Sequence, residues 1–148
     1  MKKVLVTGGA GYKGCILVPK LLKAGYSVVV YDLMLFGDEG LPKHPNLTVV
    51  KGDIRDIPAY TKALEGCDSV IHMACISNDP SFDLDPSLSR TINYECFEPL
   101  VVASKEAGVV VNLAWRYAKP IIAKHAEYLT SGGKFLKVLP EMEYYRMQ

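Results

Sequence analysis

Six short apolar runs punctuate this chain at a steady interval, and helical patterns fill most of the gaps between them. The runs are Lys2–Thr7 (KKVLVT), Ser27–Tyr31 (SVVVY), Leu47–Val50 (LTVV), Ser69–Met73 (SVIHM), Val109–Leu113 (VVVNL) and Lys134–Leu139 (KFLKVL). Segments so uniformly apolar suit parallel strands covered on both faces better than a sheet with one wet face. Between them, Ile16, Leu17, Leu21 and Leu22 form a stripe in 12–25 that stops at Gly25. In 56–66, Ile57, Tyr60, Ala63 and Leu64 recur at helical spacing before Gly66. Asp85-Pro86 reads as a helix start, with an acid at the cap and proline in the first turn. That helix should run to 105–108, bent or split by Pro99. A last helix is expected over 116–131, with Ala118, Ile122 and Leu129 on one side and Gly132-Gly133 after it. Strands alternating with helices predict an α/β fold: a doubly wound, Rossmann-like parallel sheet of order 3-2-1-4-5-6. The segment 34–46 is the one long loop, and a single domain over 1–148 is expected.

Composition narrows the classes. With 148 residues, 49% of them hydrophobic and 22% charged, the chain can bury a core without staples, which excludes intrinsic disorder. Lys+Arg 17 against Asp+Glu 16 leaves +1, so no basic field recommends a nucleic-acid partner. No apolar run reaches the ~18 residues of a membrane span, and Met1-Lys2-Lys3 leads straight into a strand rather than a signal peptide. Cys15, Cys67, Cys75 and Cys96 form no C-x-x-C pair; reduced, partly buried thiols in a cytoplasmic protein are expected, with no metal site.

Thr7-Gly8-Gly9-Ala10-Gly11-Tyr12-Lys13-Gly14 closes the first strand and opens the first helix. It holds both G-x-G-x-x-G (Gly9, Gly11, Gly14) and a three-spaced Gly8, Gly11, Gly14. A pyrophosphate must approach such backbone closely, and a helix N-terminus offers it free N–H groups and partial positive charge. The alternative is a tight strand–helix turn without ligand. Asp32 ends the second strand, 18 residues beyond Gly14, where a carboxylate can accept both ribose hydroxyls of adenosine and repel a 2′-phosphate. NAD is therefore expected over NADP; a solvated acid is the plainer alternative. After the third strand, Asp53 could bond the adenine amino group while Ile54 covers the ring edge, or Asp53 could cap the next helix. His72 ends the fourth strand beside the glycine loop, as a structural residue or a catalyst, and small Ala74 would allow close cofactor approach.

Together TGGAGYKG, Tyr31-Asp32, GDIRD (52–56), HMACISNDPS (72–81) and NYECFEPL (93–100) resemble the extended short-chain dehydrogenase/reductase family. More narrowly they resemble its NAD-dependent nucleotide-sugar epimerases and dehydratases, over residues 1–108. The resemblance implies NAD as cofactor, with Gly8, Gly11 and Gly14 facing the pyrophosphate and Tyr12 and Lys13 beside it. It places Asp32 at the ribose, Asp53 and Ile54 at adenine, and Met73, Ala74 and Cys75 along the dinucleotide. Asn93 corresponds to the family's helix asparagine, and Ser77-Asn78-Asp79-Pro80 would border a nucleotide-sugar partner. In such enzymes a tyrosinate takes the proton of a sugar hydroxyl as hydride leaves, helped by a lysine four residues on and a nearby Ser or Thr.

None of the nine tyrosines here has lysine four positions later. Tyr117 and Lys119 are two apart, about 200° around a helix, and cannot act as that pair. Residues 109–140 (VVVNLAWRYAKPIIAKHAEYLTSGGKFLKVLP) instead resemble the C-terminal end of sugar C-methyltransferases. Charge divides likewise: 1–108 carries 11 basic and 13 acidic residues, net −2, and 109–148 carries 6 and 3, net +3. A chimera follows as an expectation, with the catalytic residues unknown and three functions to weigh. The first is an NAD-binding domain that is catalytically incomplete. The second is an active epimerase or oxidoreductase using His72, Tyr94 or Tyr117. The third is a recombinant that binds nothing, with Trp115, Tyr144, Tyr145 and Met147 free to make a homodimer contact.

Overall fold

A computed structural model of the chain describes residues 2–76, 85–113 and 136–138. Six parallel strands make one sheet: β1 (Lys3–Thr7), β2 (Ser27–Asp32), β3 (Leu47–Lys51), β4 (Ser69–His72), β5 (Val110–Leu113) and β6 (Leu136–Val138). Their order is β3-β2-β1-β4-β5-β6, as the alternation predicts. β1 sits between β2 and β4, with Val6 beside Val30 on one side and Ile71 on the other. The expected helix over 116–131 lies outside the described residues.

Helices α1 (Gly14–Lys23), α2 (Ile57–Ala63) and α4 (Phe97–Glu106) cover the sheet, and the short α3 (Pro86–Arg90) leads into α4. Because strand side chains alternate between faces, β1 and β2 feed two separate cores. Val4, Val6, Val28 and Val30 pack with Val18 and Leu22 of α1 on one face. Leu5, Val29, Tyr31 and Val70 pack with Tyr60, Leu64, Leu100 and Ala103 on the other. The buried seam of α1 is thus Gly14, Val18 and Leu22. Ile16, which the sequence places in the apolar stripe, is half exposed: the run Ile16–Val18 is apolar on every side, so pattern alone does not select the seam. On the second face, the Ser104 hydroxyl donates to the Leu100 carbonyl at 2.8 Å and so receives the Tyr60 hydroxyl, also at 2.8 Å. This buried pair joins α2 to α4.

Pro99 splits its helix. Proline cannot share space with the carbonyl four residues earlier, here Glu95. Residues Thr91–Glu95 widen into a π-turn between α3 and α4, with Cys96 N–H reaching back five residues to the Thr91 carbonyl at 3.1 Å. Asp85 caps α3, its carboxylate accepting the Leu88 N–H at 2.9 Å. Asp56, rather than Asp53, caps α2 by accepting the Ala59 N–H at 3.1 Å. The four cysteines form no disulfide, Cys67 and Cys96 being buried and Cys15 and Cys75 half-buried.

Candidate functional site

The chain crosses from β1 to β2 on one side and reaches β4 on the other, so the carboxyl ends of β1 and β4 flank the point where strand order reverses. Such a crevice is the usual ligand site of an open α/β sheet. The segment Thr7–Gly14 lines one wall and Met73–Ile76 the other.

Gly8 has φ +70°, and a Cβ there would lie 2.7 Å from the Ala74 backbone, so the two walls meet closely at this point. A Cβ on Gly14 would strike the Gly9 carbonyl. Gly14 therefore lets the helix start press on its own loop. Gly11 N–H bonds the Gly8 carbonyl at 3.2 Å, and Cys15 N–H bonds the Gly11 carbonyl at 2.9 Å. Among the described residues no acceptor takes the N–H groups of Tyr12, Lys13 or Gly14. Three amides and the positive end of a ten-residue helix thus open at the crevice, with no side-chain cap. The Tyr12 side chain is 86% exposed beside them.

Asp32 stands across the loop. One carboxylate oxygen accepts the Ala10 N–H at 3.0 Å and the other the Met34 N–H at 2.9 Å. The two bonds fix the carboxylate's direction and leave each oxygen a free lone pair. Met34, at φ +56°, turns the chain away into the 34–46 loop.

Thr7 fixes the spacing of the two walls. Its hydroxyl oxygen accepts the Ala74 N–H at 3.4 Å and shares the Met73 N–H, at 3.2 Å, with the Thr7 carbonyl at 3.1 Å, which directs its proton to His72 Nδ1 at 2.7 Å. His72 is buried, which pushes its pKa down to about 4 and keeps the ring neutral with its proton on Nε2. Further along the same wall, Asn93 clamps Ile76: Oδ1 accepts the Ile76 N–H at 2.9 Å and Nδ2 donates to its carbonyl at 2.7 Å. Asn93 lies in the middle of the π-turn, which places a helix residue against the end of β4.

The loop after β3 completes the arrangement. Ile54 is buried in the second core, and the Tyr31 hydroxyl donates to the Asp53 carbonyl at 2.9 Å. The Asp53 carboxylate accepts the Arg55 N–H at 2.9 Å and its Nε–H at 2.9 and 3.0 Å, with Nη2 also paired to it. The Arg55 fork holds Asp53 below the usual carboxylate range. Sequence reasoning overlooked Thr7, Met34 and Arg55. Thr7 carries a signal after the fact, a lone hydroxyl ending an apolar strand next to the strand that ends in His72. Ser77-Asn78-Asp79-Pro80, Tyr117, Lys119, Trp115 and the aromatic tail lie outside the described residues. Among the described residues no three metal-ligating side chains cluster, and no helix is long and apolar enough to cross a membrane.

Comparison with known proteins agrees with this geometry. The NAD dependent epimerase/dehydratase family matches residues 4–115. The chain belongs to that family. It is 43% identical over 111 residues to a 3 beta-hydroxysteroid dehydrogenase/Delta 5-->4-isomerase of Mycobacterium tuberculosis, covering 72% of this chain and 29% of that protein. Among solved structures it is similar to the UDP-glucose 4-epimerase of Thermus thermophilus in complex with NAD. That likeness has a TM-score of 0.67 and 32% identity, over 75% of this chain and 36% of that one. It is also similar to the dTDP-glucose 4,6-dehydratase of Streptomyces venezuelae with NAD bound, at a TM-score of 0.68 and 30% identity, over 74% of this chain and 38% of that one. The chain spans about three tenths of the length of the steroid dehydrogenase it matches.

Proposed function

We propose that this family member binds NAD in the crevice between β1 and β4. The carrying observation is the set of amides at Tyr12, Lys13 and Gly14 that have no acceptor among the described residues, opened by a loop in which side chains at positions 8 and 14 have no room. Those amides, with Gly8 and Gly11 beneath them and the Lys13 ammonium nearby, take the diphosphate. Asp32 takes the adenosine ribose with its two free lone pairs, which disfavours the 2′-phosphate of NADP. Asp53 and Ile54 hold adenine, and Met73, Ala74, Cys75 and Asn93 line the path toward nicotinamide. When bound, the dinucleotide supplies a hydride acceptor; the chain's own residues bind and orient it.

Oxidation of a secondary alcohol is the chemistry such a site serves, and a nucleotide-sugar is the substrate class proposed. The M. tuberculosis relative, named for a 3 beta-hydroxysteroid, favours a sterol alcohol as the second reading. On its own the 148-residue chain is proposed to be catalytically incomplete, since none of its tyrosines is followed four residues later by lysine. A chimeric origin is proposed for the methyltransferase-like 109–140 segment on its sequence resemblance alone, the family match running on through residue 115. The intact mass and coding DNA of the natural protein test that origin.

Titration calorimetry tests the binding. One site for NAD, with NADP at least tenfold weaker, is the expected outcome; no heat from a folded chain at millimolar NAD rejects the proposal. Saturation at ~100 times the dissociation constant should add about 2.7 kcal/mol to stability, which a melting curve reads independently.

A further inference from the structure

Arg55 makes more contacts than a surface arginine two residues from an aspartate needs. Its backbone N–H and Nε–H reach one Asp53 oxygen, and Nε–H and Nη2 reach the other, so the fork holds the carboxylate by both edges. Its remaining arm, Nη1, lies 3.4 Å from Thr91 Oγ1. That hydroxyl already donates to the Leu88 carbonyl at 2.8 Å, so it faces Arg55 as an acceptor. Thr91 opens the π-turn whose Asn93 clamps Ile76. A chain of side-chain contacts therefore runs from the loop after β3, through Arg55, to the turn that fixes the end of β4.

We infer that Arg55 is a positioning residue for purine recognition: it aims the Asp53 carboxylate so that the base is read by its 6-amino group. The inference rests on the NAD reading above. Two features favour aiming over competition for the same lone pairs. Three N–H groups of Arg55 meet the four lone pairs of the carboxylate, Nε–H being shared between both oxygens, so one lone pair is left for an incoming amino hydrogen while the fork stays in place. The Asp53 carbonyl is separately tied to the Tyr31 hydroxyl, so the residue cannot follow its side chain away from the site. A carboxylate held ionised accepts from an amino group and repels a carbonyl at the same place.

The test compares NAD with nicotinamide hypoxanthine dinucleotide, which carries a carbonyl where adenine has the amino group, on the full 148-residue chain. Wild type is expected to prefer NAD by about tenfold, the value of one charge-assisted hydrogen bond. Arg55→Met is expected to weaken NAD about tenfold and the analogue less than twofold, bringing the preference close to one. Arg55→Lys, which keeps the charge without the fork, should restore only part of it and serves if the methionine variant does not fold. In an Asp53→Asn background, Arg55→Met should add nothing. Equal weakening of both dinucleotides, or tighter NAD binding by Arg55→Met, overturns the inference. A wild type that binds both dinucleotides equally also overturns it and leaves the amide cradle standing, whereas a wild type that binds neither removes the NAD reading itself.

Discussion

A single hydroxyl at Thr7 serves three groups at once, one of them a buried histidine. Two N–H groups point at its oxygen, Met73's shared with the Thr7 carbonyl, and its proton is directed at a bare nitrogen of the His72 ring that burial keeps neutral. A charged imidazolium would set hydrogen against hydrogen at that contact, inside a buried site. The pH consequence has a definite sign. The folded pKa near 4 lies below the ordinary 6.5, so the contribution is complete above pH 6.5 and is lost as pH falls toward 4. About 3 kcal/mol of stability should disappear over that window. Urea unfolding at a series of pH values should show this slope in wild type and lose it in His72→Asn. An unchanged slope in the variant would place the proton uptake elsewhere. Gly14 makes a matching prediction for the site. Gly14→Ala must push the Gly9 carbonyl out of the cradle and should lose NAD binding by at least a hundredfold, as read by calorimetry.

At the scale of elements, the π-turn is held by tertiary contact rather than by propensity. Asn93 supplies both bonds to Ile76, and Pro99 denies the helix its regular path. Asn93→Ala should cost about 2 kcal/mol for the unpaired Ile76 groups and speed amide exchange at residues 73–76 more than elsewhere. Uniform exchange changes over the whole chain would contradict a local clamp. These elements also mark what a sequence discloses. Strand order and the helix break at Pro99 were legible, because β-branched runs, right-handed crossovers and proline geometry are local or general constraints. The wider turn was not, since it depends on a contact between residues 17 apart. Nor was the choice between Asp53 and Asp56 as the α2 cap. A backbone turn from Asp56 N–H to the Asp53 carbonyl, at 3.0 Å, decides it, and two aspartates three residues apart look alike in the sequence. The acid at 32 was legible as to its position but not its partners: it braces the glycine loop at Ala10 as well as facing the crevice.

For the molecule as a whole, two cores lock β1 and β2 between opposite helix layers, and the crevice opens where the strand order reverses. The proposed cofactor crevice is thus built at the ends of strands that both cores hold in place. The melting gain expected from NAD follows from its binding the folded chain alone, at walls that Thr7 already joins through His72, Met73 and Ala74. The most direct test of the cradle is an NAD titration followed by amide NMR on isotope-labelled protein. The expected result is that the N–H resonances of Tyr12, Lys13 and Gly14 shift downfield together, along one saturation curve, as each gains a phosphate acceptor. If NAD binds and these three resonances stay where they are while others move, the diphosphate lies elsewhere and the proposed site is wrong.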